Sequence, residues 1–140
     1  MDNLKSDTIL QLPPGWEDGT FYTFTGPEAG GVQHTLTIVL DRKLNHDNLE
    51  DFAREKIDPM ISSMQSIDVL KDEPKTLASG KEAWELVYKW VPVKDTVRFQ
   101  KYIFLIIDGI GYTCSAMFTK QTFKTLAVQV DQMIDTLGSG

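Results

Sequence analysis

The dipeptide Asp108-Gly109 stands between two apolar alternating runs, residues 97–107 and 111–118. Both residue types tolerate positive φ, which a two-residue turn between antiparallel strands requires, so the chain has to double back at this point. In the first run Phe99, Ile103, Leu105 and Ile107 occupy one face. Tyr102, Phe104 and Ile106, with Arg98 and Gln100, occupy the other, so both faces are largely apolar.

The same period of two recurs upstream. Over residues 84–91 Trp84, Leu86, Tyr88 and Trp90 oppose Glu85, Val87, Lys89 and Val91, and Pro92 ends the strand or marks a bulge because it has no N–H to donate. Residues 34–41 set Leu36, Ile38 and Leu40 against Thr35, Thr37, Val39 and Asp41. Residues 19–25 set Phe21, Thr23 and Thr25 against Thr20, Tyr22 and Phe24. A shorter alternation over residues 8–12 runs into the turn Pro13-Pro14-Gly15, and residues 68–77 are only weakly patterned. The segment 26–31 is glycine-rich, but it carries Glu28, lacks a Gly-Lys-Ser/Thr ending and leads into a strand, so it reads as a loop and not as a phosphate cradle.

Two segments change to the helical period. Between residues 47 and 67, Leu49, Phe52, Ala53, Ile57, Met60, Ile61 and Met64 form one stripe, and Asp47 with Glu50 fits a capping box. Pro59 removes a backbone donor there, which predicts a kink or break near residues 57–58. From about Thr122, the residues Phe123, Leu126, Ala127, Val130, Ile134 and Leu137 recur at helical spacing until Gly138.

This order predicts one α+β domain over residues 1–140: an antiparallel sheet of six to seven strands with two amphipathic helices on one face. The helix-covered side is assigned Tyr22, Phe24, Leu36, Ile38, Leu40, Trp84, Leu86, Tyr88, Trp90, Phe99, Ile103 and Leu105. The open side then carries Phe21, Thr23, Thr35, Thr37, Val39, Val87, Lys89, Gln100, Tyr102 and Phe104, too apolar for mere solvation and too polar for a sealed core. Such a face can bury a partner's apolar side chains while its hydroxyl and amide groups meet polar atoms, or it can be the interface of a homodimer.

Other function classes find little support. The net charge of −6 opposes binding to a phosphate backbone, so nucleic acid is not expected as a partner. That charge is uneven, with 5 basic and 12 acidic side chains in residues 1–70 against 9 and 8 in residues 71–140. His34 and His46 have no partner at catalytic spacing and read as surface or capping residues. With a single cysteine, Cys114, inside an apolar run, no zinc or facial-triad spacing arises, and the thiol reads as a core residue. Neither catalytic residues, metal ligands nor a cofactor are expected. No leader or membrane-span pattern is visible in the sequence, which predicts a cytoplasmic protein without membrane anchoring.

Several short motifs together resemble a known family: Gln11-Leu12-Pro13-Pro14-Gly15-Trp16-Glu17-Asp18 leading to Phe21-Tyr22-Thr23-Phe24, the segment Leu49-Glu50-Asp51-Phe52-Ala53-Arg54, Gly80-Lys81-Glu82-Ala83-Trp84 leading to Tyr88-Lys89-Trp90, and the strand holding Gln100. They resemble the DcrB-like family, whose cytoplasmic branch is the Eag chaperones of bacterial type VI secretion. The resemblance implies a PsbP-like fold, usually homodimeric, that shields the hydrophobic N-terminal transmembrane helices of a secreted effector without catalysis. It places the client helices on the open sheet face, here Phe21, Val87, Gln100 and Tyr102, with Thr23, Thr37, Val39 and Lys89 on the same expected surface. The DcrB branch is a lipoprotein, and the lack of a leader and N-terminal cysteine favours the chaperone branch. A small-ligand binder or an unrecognised enzyme using the same face is the alternative.

Overall fold

The computed structural model describes residues 10–94 and 96–138. Asp108 and Gly109 adopt φ values of 52° and 77° and join β5 (Thr96–Ile107) to β6 (Ile110–Thr119), which pair without interruption from Arg98↔Thr119 to Ile107↔Ile110. Around this hairpin lie β1 (Phe21–Ala29), β2 (Val32–Asp41), β3 (Asp68–Thr76) and β4 (Glu82–Val93), giving a six-stranded antiparallel sheet in the order β1-β2-β6-β5-β4-β3. With helices α1 (Leu49–Ser63) and α2 (Leu126–Asp135), this is an α+β fold.

The glycine-rich segment is shorter as a loop than the sequence suggests. β1 continues to Ala29 through an irregularity at Gly26-Pro27, and only Gly30-Gly31 turns, with φ of 61° and 78° that an L side chain adopts at a cost. The weakly patterned stretch is the edge strand β3; an edge exposed on one side carries little alternation. Of the expected strand over residues 8–12, residues 8 and 9 lie outside the described residues, and residues 10–12 form no strand.

Helix α1 is capped by Asn48, whose side chain accepts from the Asp51 N–H at 3.2 Å, and not by Asp47. It runs continuously through Pro59, contrary to the expected break, and ends at Ser63. The carbonyl that Pro59 leaves without a helical donor belongs to Glu55; both residues are exposed, so water can satisfy it. Helix α2 begins at Leu126, four residues later than expected, because residues 120–125 form turns closed by the Thr122 hydroxyl on the Thr119 N–H at 2.9 Å.

The two helices lie on opposite faces of the sheet, which corrects the expectation that both cover one. Phe104 packs with Phe52, Ala53 and Ile57 of α1, Leu86 and Tyr88. Its neighbour Leu105 belongs with Ile103, Tyr112, Cys114, Leu36, Ile38 and the α2 residues Ala127, Val130 and Ile134. Successive side chains of a strand point to opposite faces, so two cores flank one sheet. Each fully buried side chain of this size contributes about 1.5–3 kcal/mol on leaving water.

The half-open sheet face as candidate functional site

Helix α1 reaches across one end of its face. Phe52 meets Phe104 edge-on, with ring centroids 6.1 Å apart, and Lys56 pairs with Asp41 on β2 at 2.8 Å. Gly111 permits this approach, since a Cβ there would lie 2.6 Å from Phe52 Cζ. Arg54 binds Asp72 of β3 and lies 5.6 Å from the centre of the Trp84 ring, while Trp84 Nε1 donates to the same carboxylate at 2.7 Å. The helix is thereby fixed over β4 and β5, reaching Asp72 of β3 on one side and the Asp41 and Gly111 ends of β2 and β6 on the other, and among the described residues no helix covers the rest of the β1–β2–β6 half of the face.

On that uncovered half the register aligns polar and apolar rows. Thr23 faces Thr37, Thr37 faces Ser115, Ser115 faces Tyr102, and Tyr102 faces Leu86 beneath α1. In the next row Phe21 faces Val39, which faces Thr113, which faces Phe104. Phe21 is 58% exposed and Val39 48%. Gln100 lies between Tyr88 and Met117, half-buried. The surface therefore grades from a sealed aromatic core under α1 to an open field of hydroxyls with interspersed apolar side chains.

Tyr102 stands at the border of the two zones. It stacks on Phe104 at 6.1 Å and on Tyr88 at 6.4 Å. Burial pushes both phenols above their ordinary value, so they remain neutral hydrogen-bonding groups at physiological pH.

Six of the eight expected site residues share this face: Phe21, Thr23, Thr37, Val39, Gln100 and Tyr102. Val87 and Lys89 do not. β4 registers Trp84 on Phe104, Leu86 on Tyr102 and Tyr88 on Gln100, which turns Val87 and Lys89 to the α2 side. Val87 is buried there opposite Lys101, and Lys89 faces Phe99 and pairs with Asp68 at 3.9 Å. The same parity moves Trp84, Leu86, Tyr88 and Trp90 to the α1 side, and Phe104, expected on an open face, lies buried under α1.

The sequence reading missed a charged cluster on the α2 side. Lys101 and Glu85, both buried, approach to 3.0 Å, and Asp131 of α2 lies 2.7 Å from Lys101. Lys75 is 3.2 Å from Glu85 and 3.6 Å from Asp131. The alternation of Lys101 with Phe99 and Ile103 was the available signal, because it places a cation on an apolar face. His34 also departs from expectation: it is buried. Its Nδ1 faces the carbonyls of Val32 at 3.0 Å and Pro27 at 3.2 Å, so it donates there, and Nε2 accepts from the Thr122 hydroxyl at 2.8 Å. His46 is partly exposed beside Glu55 at 2.8 Å, and Cys114 is buried, with burial raising its thiol to about 12.

A cleft of about 80 Å³ lies between β1–β2 and α2, lined by Phe24, His34, Leu36, Phe118, Leu126 and Met133 among others. Sites for small organic ligands span roughly 300–1,000 Å³, a size reached by two shallower depressions, of about 460 Å³ beside Asp68, Lys89 and Trp90 and about 540 Å³ beside His46, Arg54 and Glu55. Among the described residues no group of three or more His, Cys, Asp or Glu side chains gathers as metal ligands would, and no helix is long and apolar enough to cross a membrane.

Fold and site thus define an α+β sheet protein with one half-uncovered, hydroxyl-rich face. No protein-family model and no curated protein matches the chain. Among solved structures it is similar to PA94 of Pseudomonas aeruginosa, a protein of unknown function, at a TM-score of 0.71 and 16% identity over 91% of this chain and 88% of that one. It is also similar to LpqN of Mycobacterium tuberculosis, involved in cell envelope biogenesis, at 0.52 and 14% over 82% and 81%. At these identities the likeness shows the fold.

Proposed function

We propose that this chain is a non-catalytic chaperone that binds and shields hydrophobic N-terminal transmembrane helices of a type VI secretion effector before export, acting in the cytoplasm as a homodimer. The observation that carries the reading is the uncovered half of the α1-side face, where exposed Phe21 and Val39 alternate with Thr23, Thr37 and Ser115. Apolar side chains of a client helix leave water against Phe21 and Val39, each gaining about 1.5–3 kcal/mol when fully covered. The threonine hydroxyls and the Gln100 amide meet the polar atoms that such a helix also carries, so neither partner buries an unsatisfied group. The motif resemblance to the Eag chaperones supports the same reading.

Co-expression with a tagged transmembrane-helix peptide tests it. The folded protein is expected to co-purify with the peptide and keep it soluble; a folded protein that never retains such a peptide overturns the proposal.

A further inference from the structure

The two edges of the sheet are built differently. β3 at one edge carries Lys71, Asp72, Glu73, Pro74 and Lys75 in succession, the charges and proline that discourage further strand pairing. At the other edge β1 runs Phe21-Tyr22-Thr23-Phe24-Thr25 without charge or proline as far as the irregularity at Gly26-Pro27. Its outer row of backbone groups has no strand partner among the described residues. Phe21 and Phe24, on opposite faces of that edge, are 58% and 46% exposed.

We propose that β1 pairs antiparallel with β1 of a second copy about a two-fold axis at Thr23, joining two six-stranded sheets into one. This inference rests on the homodimer of the proposed function and adds the edge and the register. With the axis at Thr23, that residue faces the partner's Thr23, Phe21 faces the partner's Thr25, and Tyr22 faces the partner's Phe24. Tyr22 and Phe24 already stack at 6.2 Å within one chain, and the register extends that stack across the axis and covers the exposed Phe24. A two-fold axis perpendicular to the sheet keeps Thr23, Thr37 and Val39 of both copies on one side, so the two open half-faces become one continuous surface.

Cysteine cross-linking and sedimentation test the register. Residues directly opposite in an antiparallel pair lie about 4.5–5.5 Å apart at Cα, within disulfide reach. Oxidised Thr23→Cys is expected to form a covalent dimer. Thr25→Cys is expected not to, because two copies of residue 25 lie about 14 Å apart in this register. Thr23→Lys, at an exposed position, is expected to halve the sedimenting mass to 15.8 kDa while the separated chains still melt cooperatively, since it sets two ammonium groups face to face. A wild-type dimer that does not cross-link through Thr23→Cys, or that survives Thr23→Lys, overturns the edge and leaves the homodimer in place. A wild-type monomer at tens of micromolar overturns both. Peptide retention by the wild-type protein reads the shielding activity separately.

Discussion

Lys101 Nζ lies 3.0 Å from Glu85 Oε2 across two neighbouring strands, with only 7% and 4% of the two side chains exposed. Asp131 reaches down from α2 to 2.7 Å from the same ammonium, so the cluster pins that helix to the sheet. An isolated charge at such a depth would be untenable, and each member is held by the others.

Removing the cation is therefore expected to cost more than removing an ordinary surface lysine. Lys101→Ala leaves the buried Glu85 with only the more exposed Lys75 and Lys71 as partners, and loss of one partner of a buried pair costs up to about 3–5 kcal/mol, the full figure applying where no other partner remains. Chemical denaturation of the variant checks this; a loss below about 1 kcal/mol, the scale of an exposed pair, would contradict the burial.

The pH dependence follows from the same cluster. Burial favours the protonated Glu85, but Lys101 and Lys75 outweigh it and hold the folded carboxyl below its ordinary value of 4.5. Its contribution to stability is thus complete above that value and is lost as pH falls through the lower, folded one. Burial likewise works against the charged Lys75, yet Asp131 and Glu85 raise it above 10.5, so its contribution is lost as pH rises through that raised value. Melting curves across the acid range are expected to fall more steeply for the wild type than for Glu85→Gln.

Gly111 tests how closely α1 must approach. With Phe52 Cζ 2.6 Å from where a Cβ would sit, Gly111→Ala forces the ring or the helix to move. Overpacking of this kind costs about 1–3 kcal/mol. A lowered thermal midpoint is expected, with Phe52→Leu in the same background recovering part of it.

Cys114 is expected to be inert in the native state. Its thiol is buried and raised to about 12, so almost no thiolate is present near neutrality. Titration with a thiol reagent should give no reaction in buffer and one thiol per chain in denaturant.

The strands were legible where one face is polar and ambiguous where neither is. β2 alternates Leu36, Ile38 and Leu40 with Thr35 and Thr37, and its end at Asp41 and its faces follow from the sequence, while its start lies two residues earlier than expected, at Val32. β4 and β5 are apolar on both faces because helices cover the sheet on both sides. Grouping Trp84 and Leu86 with Ile103 and Leu105 was therefore as consistent with periodicity as the true grouping with Phe104 and Tyr102. Only the hairpin register decides it, and that register depends on the irregularity between Trp90 and Val93. For the site, β1 and β2 could be read directly, Gln100 and Tyr102 followed with β5, and Val87 and Lys89 were lost to the same parity.

Capture of a client helix by charge variants on the two faces tests the central claim most directly. Val39→Asp, at an exposed position of the uncovered half-face, is expected to melt like the wild type and to lose a co-expressed transmembrane-helix peptide. Forfeiting one leucine-sized contact corresponds to about a 10- to 100-fold loss of affinity. Val87→Asp, buried opposite Lys101 on the α2 side, is expected to lower the melt instead. A Val39→Asp protein that is folded and retains the peptide as the wild type does would contradict the account.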